Sequence, residues 1–366
     1  MGDKRIVKII FLQMSVPMCP WDDGDNGDSD GDEWLFSSLR RYSQLLMFDL
    51  TVQPQHVALD NNGNTMVVGD GDKEELVVYR VPSKLLAGNR EQEGLTSNRD
   101  FGLVAGTVRA GCVRGVEFLR QNKLVTCREG LQGVEVWGWG EEDLINKEAV
   151  LDKCVFYPEV LCVDGEDCYA GGLHGVGRVR PGHTAWSCRK VDGEVTSLYS
   201  DGEGGLWAGQ SDGVVSRVDW RVDGVASELR LGKGVWSTAF LSQCGSVSVV
   251  GVNSEGSLSV WDTRNSVSPV LQHTLCLSPT LSKSHTPQIV AGGGTVMVGV
   301  GDTVSVYQAH NMTKLFTHDG HKQKDQVVKV TSITLHPTVD RLVFSGDDQQ
   351  RLQAWMYHPD NVDCLT

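Results

Sequence analysis

The sequence predicts an all-β protein, a seven-bladed β-propeller preceded by a short N-terminal amphipathic helix. Three observations lead there. Apolar runs broken by turns of Gly, Asp, Ser or Asn recur seven times and end at Tyr79, Trp137, Val179, Val218, Trp261, Tyr307 and Trp355. These ends are spaced by roughly 40 to 60 residues, near the period of a four-stranded propeller blade. Glycine is abundant, 42 residues against 11 prolines in a chain of 366, as many turns between many strands require. No helix-length amphipathic segment separates the strand pairs, which disfavours a parallel α/β sheet.

The first unit pairs Met66-Val-Val-Gly-Asp70 with Leu76-Val-Val-Tyr79, and the second pairs Leu124-Val-Thr126 with Val134-Glu-Val-Trp137. The third pairs Cys168-Tyr-Ala-Gly-Gly172 with Val176-Gly-Arg-Val179, and the fourth Leu206-Trp-Ala-Gly209 with Val214-Val-Ser-Arg-Val-Asp219. Val249-Val-Gly-Val252 with Leu258-Ser-Val-Trp-Asp262, Val296-Met-Val-Gly299 with Val304-Ser-Val-Tyr307, and Leu342-Val-Phe-Ser-Gly346 with Leu352-Gln-Ala-Trp355 complete the set. One twisted blade cannot cover both of its faces; radial packing buries them and ring closure protects the edges. Only eleven residues follow Trp355, so the outer strand of the last blade is expected from the N-terminal side, at about residues 47–52. The propeller is thus placed at 47–366, the helix at 32–46 and an acidic, disordered leader at 1–31.

Asp32 can cap the helix and Glu33 suits its first turn. Leu35, Leu39, Tyr42 and Leu46 recur at helical spacing. Trp34, Phe36 and Tyr42 cannot all lie on the inward stripe, so an outward aromatic is a candidate anchor for a partner protein. Docking of the helix on the propeller's own side is the plainer alternative.

The formal net charge of −14 disfavours a nucleic-acid backbone or an anionic membrane surface as partner, although a local basic patch is compatible with it. Seven of the 47 acidic residues fall between Asp22 and Glu33. The ten cysteines contain no C-x-x-C pair and scatter through apolar runs, as free buried thiols in a reducing compartment do. Lys4 and Arg5 precede a partly apolar stretch, but Lys8 and Pro17 interrupt it and no small-x-small cleavage site follows. No run reaches the 18 or so uninterrupted apolar residues of a transmembrane helix. The expectation is a soluble cytoplasmic protein, monomeric by itself.

Val260-Trp261-Asp262 and Gly320-His321 match the two dipeptides for which WD repeats are named. Gly320-His321 lies 34 positions ahead of Trp355, and Asp348 falls in the turn where such repeats carry an acidic residue. Tyr79, Trp137 and Tyr307 lack the following Asp, and Val218-Asp219 lacks the Trp. On these residues the chain resembles the WD40-repeat family of β-propellers, with Trp261, Asp262, Gly320, His321, Asp348 and Trp355 as its structural signature. The two ends narrow the resemblance. Asp32-Glu-Trp-Leu35, Ser38-Leu-Arg40, Tyr42 and Phe48-Asp-Leu50 at one end, and Leu315-Phe-Thr-His318, Gly320-His321 and His336-Pro337 at the other, are similar to the WD repeat-containing protein 73 family. The resemblance covers most of 32–357 and is sparse in the middle. It implies a cytosolic, non-enzymatic scaffold whose partners are the Integrator endonuclease subunits and microtubule-associated spindle components. It also implies residence at spindle poles during mitosis and leaves room for a nuclear pool.

The remaining motifs carry less. His318 and His321 form an H-x-x-H, which as a zinc pair would need further ligands such as His336. The alternative, that the His321 ring bonds polar groups within its own blade, is preferred, and no metal is expected. Asp100-Phe101-Gly102 spells a kinase magnesium-binding tripeptide without the glycine-rich loop, strand lysine or catalytic loop that accompany it. Gly172-Leu-His-Gly175-Val-Gly177 and Gly292-Gly-Gly294 do not lead from a strand into a helix, as a dinucleotide-binding loop must. No catalytic residue and no cofactor is expected. The function predicted is a non-catalytic protein-binding scaffold. The alternative is a central-channel module recognising a modified peptide, and an enzyme is a distant third.

Overall fold

Short runs of Val, Leu and aromatic residues, each closed by a polar turn, give an all-β propeller with almost no helix among the described residues. The computed structural model describes residues 10–12 and 41–358, apart from 71–73, 87–99, 108–109, 121, 141–142, 184, 235, 244–245, 265–266, 276–286 and 324–325. The turn after Ser246–Asn253 shows how the strands reverse. Asn253 Oδ1 accepts the N–H groups of Glu255 (3.1 Å) and Ser257 (2.7 Å), and Gly256 takes a φ of 85° that a side chain would resist.

Among the described residues the strands form six hydrogen-bonded sheets. Four are four-stranded meanders. The first holds His56–Leu59, Thr65–Asp70, Glu75–Arg80 and Gly102–Thr107. The second holds Val113–Arg120, Lys123–Arg128, Val134–Gly138 and Asn146–Leu151. Another holds Trp236–Gln243, Ser246–Asn253, Ser257–Asp262 and Leu271–Thr274, and the next Gln288–Gly292, Thr295–Val300, Thr303–Gln308 and Lys314–His318. The closing sheet joins both ends of the chain: Val330–Leu335, Val343–Asp347 and Arg351–Tyr357 continue into Tyr42–Asp49 and then Ile10–Leu12.

The seven sequence repeats therefore occupy six sheets, which corrects the expectation of seven separate blades. The third and fourth repeats share one six-stranded sheet, running from Pro158–Asp164 through Asp167–Val179, Ser187–Ser200, Gly205–Gln210 and Val214–Asp219 to Val225–Arg230. Ser187–Ser200 is continuous. Its first part pairs with Asp167–Val179 and its second, from Val195, with Gly205–Gln210. Side chains from adjacent turns hold the junction extended: a ring N–H of His174 donates from Nδ1 to Asp192 O (2.7 Å), and Gly193 N–H donates to Gln210 Oε1 (2.6 Å). The corresponding junction before Trp236 is instead broken by Gly232 and Gly234, with φ of 130° and 118°.

The innermost strands touch in turn around the ring, and Val330–Leu335 closes on His56–Leu59. Apolar clusters fill the seams. Phe48, Met66, Val68, Phe344 and Leu352 pack where the closing sheet meets the first, and Leu45, Met297, Phe316 and Trp355 where it meets its predecessor. One cluster, built on Tyr169, Val176, Val195, Leu206 and Val218, lies between the two ladders of the six-stranded sheet, so that sheet folds across itself.

The expected helix at 32–46 is corrected from Tyr42 onward. Tyr42–Asp49 is a strand, antiparallel to Arg351–Tyr357 from Tyr42↔Tyr357 to Asp49↔Arg351. Residues 32–40 lie outside the described residues. Leu45 and Met47 face the preceding sheet, while Leu46 and Phe48 face the first. A bulge between Tyr42 and Gln44 brings Tyr42 onto the Leu45 side. A strand covered on both faces and shifted once in phase mimics the spacing of a helical stripe. Leu45 is 2 % exposed, so Leu45→Ala is expected to cost about 2–5 kcal/mol, read from the midpoint of urea unfolding. An unchanged midpoint would mean that this strand does not seal the ring.

Candidate interaction surface

The repeat signature is a buried chain of donors in the closing sheet. Trp355 Nε1–H donates to Ser345 Oγ (3.0 Å), Ser345 O–H to His321 Nε2 (2.7 Å), and His321 Nδ1–H to Asp347 Oδ2 (2.8 Å). All four side chains are fully buried. Asp347 Oδ1 also accepts the N–H groups of Gln349 (2.9 Å) and Arg351 (3.2 Å), and the Arg351 guanidinium pairs with Oδ2 at 2.8 Å. Burial alone would raise the Asp347 carboxyl; His321 and Arg351 outweigh it and hold the pKa below the usual value. The acidic member of the signature is therefore Asp347, where the sequence pointed to Asp348. Ser345 and Asp347 are two apart on one strand and share a face. Asp348 belongs to the turn, where its Oδ1 accepts Lys329 N–H (3.1 Å). Gly320 admits the close approach, since a Cβ there would strike Gln353 and His318.

His318 stacks on Trp355 with ring centroids 4.5 Å apart, and its Nδ1 meets Tyr42 Oη at 2.8 Å. Burial, with the neighbouring His321 and Arg41, holds His318 neutral, well below the ordinary histidine value. His336 turns toward the first sheet: its Nε2–H donates to Gly63 O (3.1 Å), while Nδ1 accepts the N–H groups of Val339 (2.9 Å) and Thr338 (3.2 Å). These histidines bind the closing sheet together. Among the described residues no group of three or more His, Cys, Asp or Glu is placed to hold a metal ion.

The degenerate repeats keep part of this pattern. Trp137 Nε1–H donates to Thr126 Oγ1 (2.8 Å) and Trp261 Nε1–H to Ser259 Oγ (3.0 Å). Asp262 is turned outward to Arg264, whose side chain and N–H hold its carboxyl down to about 2. Phe101, of the Asp-Phe-Gly tripeptide, is a core residue set edge-on to Phe48 at 4.4 Å. Of the aromatic candidates, Trp34 and Phe36 lie outside the described residues. Tyr42 faces inward, packed on Phe316 and bonded to His318, rather than outward as an anchor.

The six-stranded sheet carries two surface features that sequence reasoning missed. At one end Val155, Tyr157 and Leu173 are 75 %, 52 % and 55 % exposed. They converge because Pro158 pairs with Gly172, and Gly172 lacks the Cβ that would strike the Tyr157 carbonyl. Where Arg178 and Arg180 approach Asp167 lies a cleft of about 390 Å³, lined by Arg178, Arg180, His183, Arg189, Trp220 and Asp167, among others. Arg178 and Arg180 share Asp167 (3.2 and 3.1 Å), and the Arg189 guanidinium sits 5.7 Å from the Trp220 ring centre. It is an arginine-rich cleft whose cations are balanced by Asp167, Glu166 and Asp223, the last 3.4 Å from Arg189. The spacing of Arg178 and Arg180 was visible in the sequence, but the pairing Val176↔Arg189 that brings the third arginine beside them was not.

Three histidines make the fold acid-sensitive. Burial and the charge of Arg114 lower His56 to about 4, and burial also lowers His318 and His336. Each stays neutral in the fold where the unfolded chain takes up a proton near its ordinary pKa of about 6.5, so stability is full above that value and falls as pH drops through it. Glu117, on Val113–Arg120, opposes them: burial pushes its carboxyl up to about 7, so folding favours its protonated form as pH falls. Glu117→Gln is expected to steepen the loss of melting temperature between about pH 7.5 and 5.5. An unchanged slope would show that Glu117 is ionised in the folded protein.

No family model matches the chain. Two known proteins match it almost end to end. The Integrator complex assembly factor WDR73 of Danio rerio is 22 % identical over 382 residues, covering 93 % of this chain and 99 % of that protein. The protein of the same name from Homo sapiens is 25 % identical over 378 residues, covering 89 % and 97 %. Repeat signature, ring architecture and near-complete coverage agree: the chain is an all-β propeller that resembles WDR73 along nearly its whole length.

Proposed function

We propose that the chain is a non-catalytic scaffold that holds partner proteins in an Integrator-related assembly, with the Integrator endonuclease subunits as its principal partners. The observation that carries this reading is end-to-end likeness to two proteins named for Integrator assembly. The architecture suits the role. A closed ring of sheets needs no partner to bury its core, which leaves loops and strand ends free to bind. Tyr157, with the exposed Val155 and Leu173 nearby, offers an aromatic anchor of the kind that dominates interfaces. The arginine-rich cleft on the same sheet offers guanidinium groups that can exchange their own carboxylates for those of a partner. A monomeric chain in the cytoplasm, with spindle-pole and nuclear pools and a second set of microtubule-associated partners, belongs to the same proposal.

The test is affinity recovery of the tagged protein from dividing cells at physiological salt, with partners identified by mass spectrometry. The Integrator endonuclease subunits are expected in near-equal amounts to the bait. The double substitution Tyr157→Ser, Leu173→Ser is expected to lower that recovery about tenfold at unchanged melting temperature. Recovery of a single modified-peptide partner without Integrator subunits would replace the scaffold by a channel-binding module.

A further inference from the structure

Strand pairing brings three arginines into the cleft on the six-stranded sheet. Arg178 pairs with Ser187 and Val176 with Arg189. Arg178 and Arg189 are therefore diagonal neighbours on one face of an antiparallel ladder, with backbones roughly 7–8 Å apart. Arg180, two positions beyond Arg178, lines the same cleft. Contacts on the page hold each guanidinium in place. Asp167 accepts from Arg180 at both oxygens, Nε–H at 3.1 Å and an Nη–H at 3.4 Å, and pairs with Arg178 at 3.2 Å. Arg189 donates to the carbonyls of Cys188 (3.2 Å) and Val222 (3.4 Å), beside the Trp220 ring. Trp220 is stacked on the buried Tyr169 at 6.2 Å, so this wall is anchored in the core.

The three carboxylates that balance these cations are not equally held. Asp167 is 16 % exposed and bonded to two arginines. Glu166, 4.0 Å from Arg180, is 81 % exposed, and Asp223, 3.4 Å from Arg189, is fully exposed. Exposed pairs of this kind contribute little, so either carboxylate can yield to a better anion. Three guanidinium charges against the one firmly held carboxylate then leave two positive charges to be met. Hydrogen-bond donors are in surplus as well. Each guanidinium carries about five N–H groups. Among the described residues two buried donors of the cleft wall, Arg189 Nε and Trp220 Nε1, have no acceptor.

We infer that this cleft binds a phosphorylated side chain of a partner protein. A phosphoryl group carries about −1.5 to −2 charges at pH 7 and three strong acceptor oxygens, which matches the two positive charges and the surplus donors. A partner carboxylate, with one charge, does no more than replace Glu166 or Asp223. Phosphate oxygens also fit the paired N–H groups of a guanidinium, a geometry that lysine does not offer. The volume of about 390 Å³ is ordinary for a small-ligand site. The net charge of −14 favours a solitary phosphate on a peptide over a membrane or a nucleic acid, whose many phosphates would face an acidic chain. The inference rests on the scaffold reading for the kind of partner. It adds that a kinase switches on one of the contacts by which the partner is held.

The test passes peptide libraries over the immobilised full-length protein, one with phosphoserine, phosphothreonine or phosphotyrosine at the centre and one with the same residues unphosphorylated. Phosphorylated members are expected to be retained about tenfold or more over their counterparts, with the preference shrinking as salt rises. The double substitution Arg180→Gln, Arg189→Gln is expected to abolish the preference at unchanged melting temperature. Asp223→Asn removes an exposed competitor and is expected to strengthen phosphopeptide retention about two- to threefold, which arginines with a merely structural role would not produce. That variant alters a fully exposed side chain, so it decides the matter even where the arginine variants fold poorly. Equal retention of both libraries, or a preference that survives loss of the arginines, overturns the inference. So does binding to vesicles containing phosphatidylinositol phosphates with no phosphopeptide retained. If phosphopeptides fail while the Integrator endonuclease subunits are still recovered from cells, this inference falls and the scaffold reading stands; phosphopeptide retention without those subunits gives the reverse.

Discussion

The antiparallel pairing of Tyr42–Asp49 with Arg351–Tyr357 is the constraint on which the rest of the molecule depends. It joins parts of the chain more than 300 residues apart and turns an open array of meanders into a ring. The apolar side chains do most of this. Burying Tyr42, Leu45 and Phe48 stabilises the closure by about 1.5–3 kcal/mol each, whereas a neutral hydrogen bond contributes roughly 0.5–1.5. The polar chain from Trp355 to Asp347 adds specificity. Its members are fully buried, so a mispaired register would leave donors and acceptors without partners at a cost above what any one bond contributes. Hydrophobic burial closes the ring and the polar network selects the register in which it closes.

Much of this was legible in the sequence, and what was not has physical reasons. The seven apolar repeats all lie on strands, because a run of β-branched and aromatic residues ending in a polar turn has few other uses. The Tyr42–Leu46 stretch was misassigned because a bulge and two covered faces imitate helical periodicity, and only the partner strand reveals the difference. Asp347 and Asp348 are adjacent, and which one turns inward is settled by its alternation with Ser345, visible only once the strand's end is known. The merging of two repeats into one sheet depends on His174 and Gln210 reaching a junction in Ser187–Ser200, contacts that no local pattern announces.

The surface features were the least legible. Val155, Tyr157 and Leu173 looked like any scattered apolar residues until the rung Pro158↔Gly172 placed them side by side. Arg178, Arg180 and Arg189 come from two strands, and the acid excess of the whole chain concealed their convergence. Interior residues follow periodicity, whereas a binding surface is made by tertiary pairing between segments with no rhythm in common. A repeat architecture therefore reveals its frame early and its binding surface late.

The unbroken Ser187–Ser200 strand has a mechanical consequence. In a ring of separate sheets each seam can shear, because only side-chain contacts cross it. Here one seam is spanned by a fourteen-residue strand, hydrogen-bonded into a ladder on each side. Sliding there would strain the backbone that the two ladders share, so this seam resists shear by more than side-chain contacts, even with the register shift between Leu173 and Gly175. The apolar group and the arginine-rich cleft both border this sheet. A partner that engaged them together would meet two footholds linked through shared backbone as well as side-chain contacts.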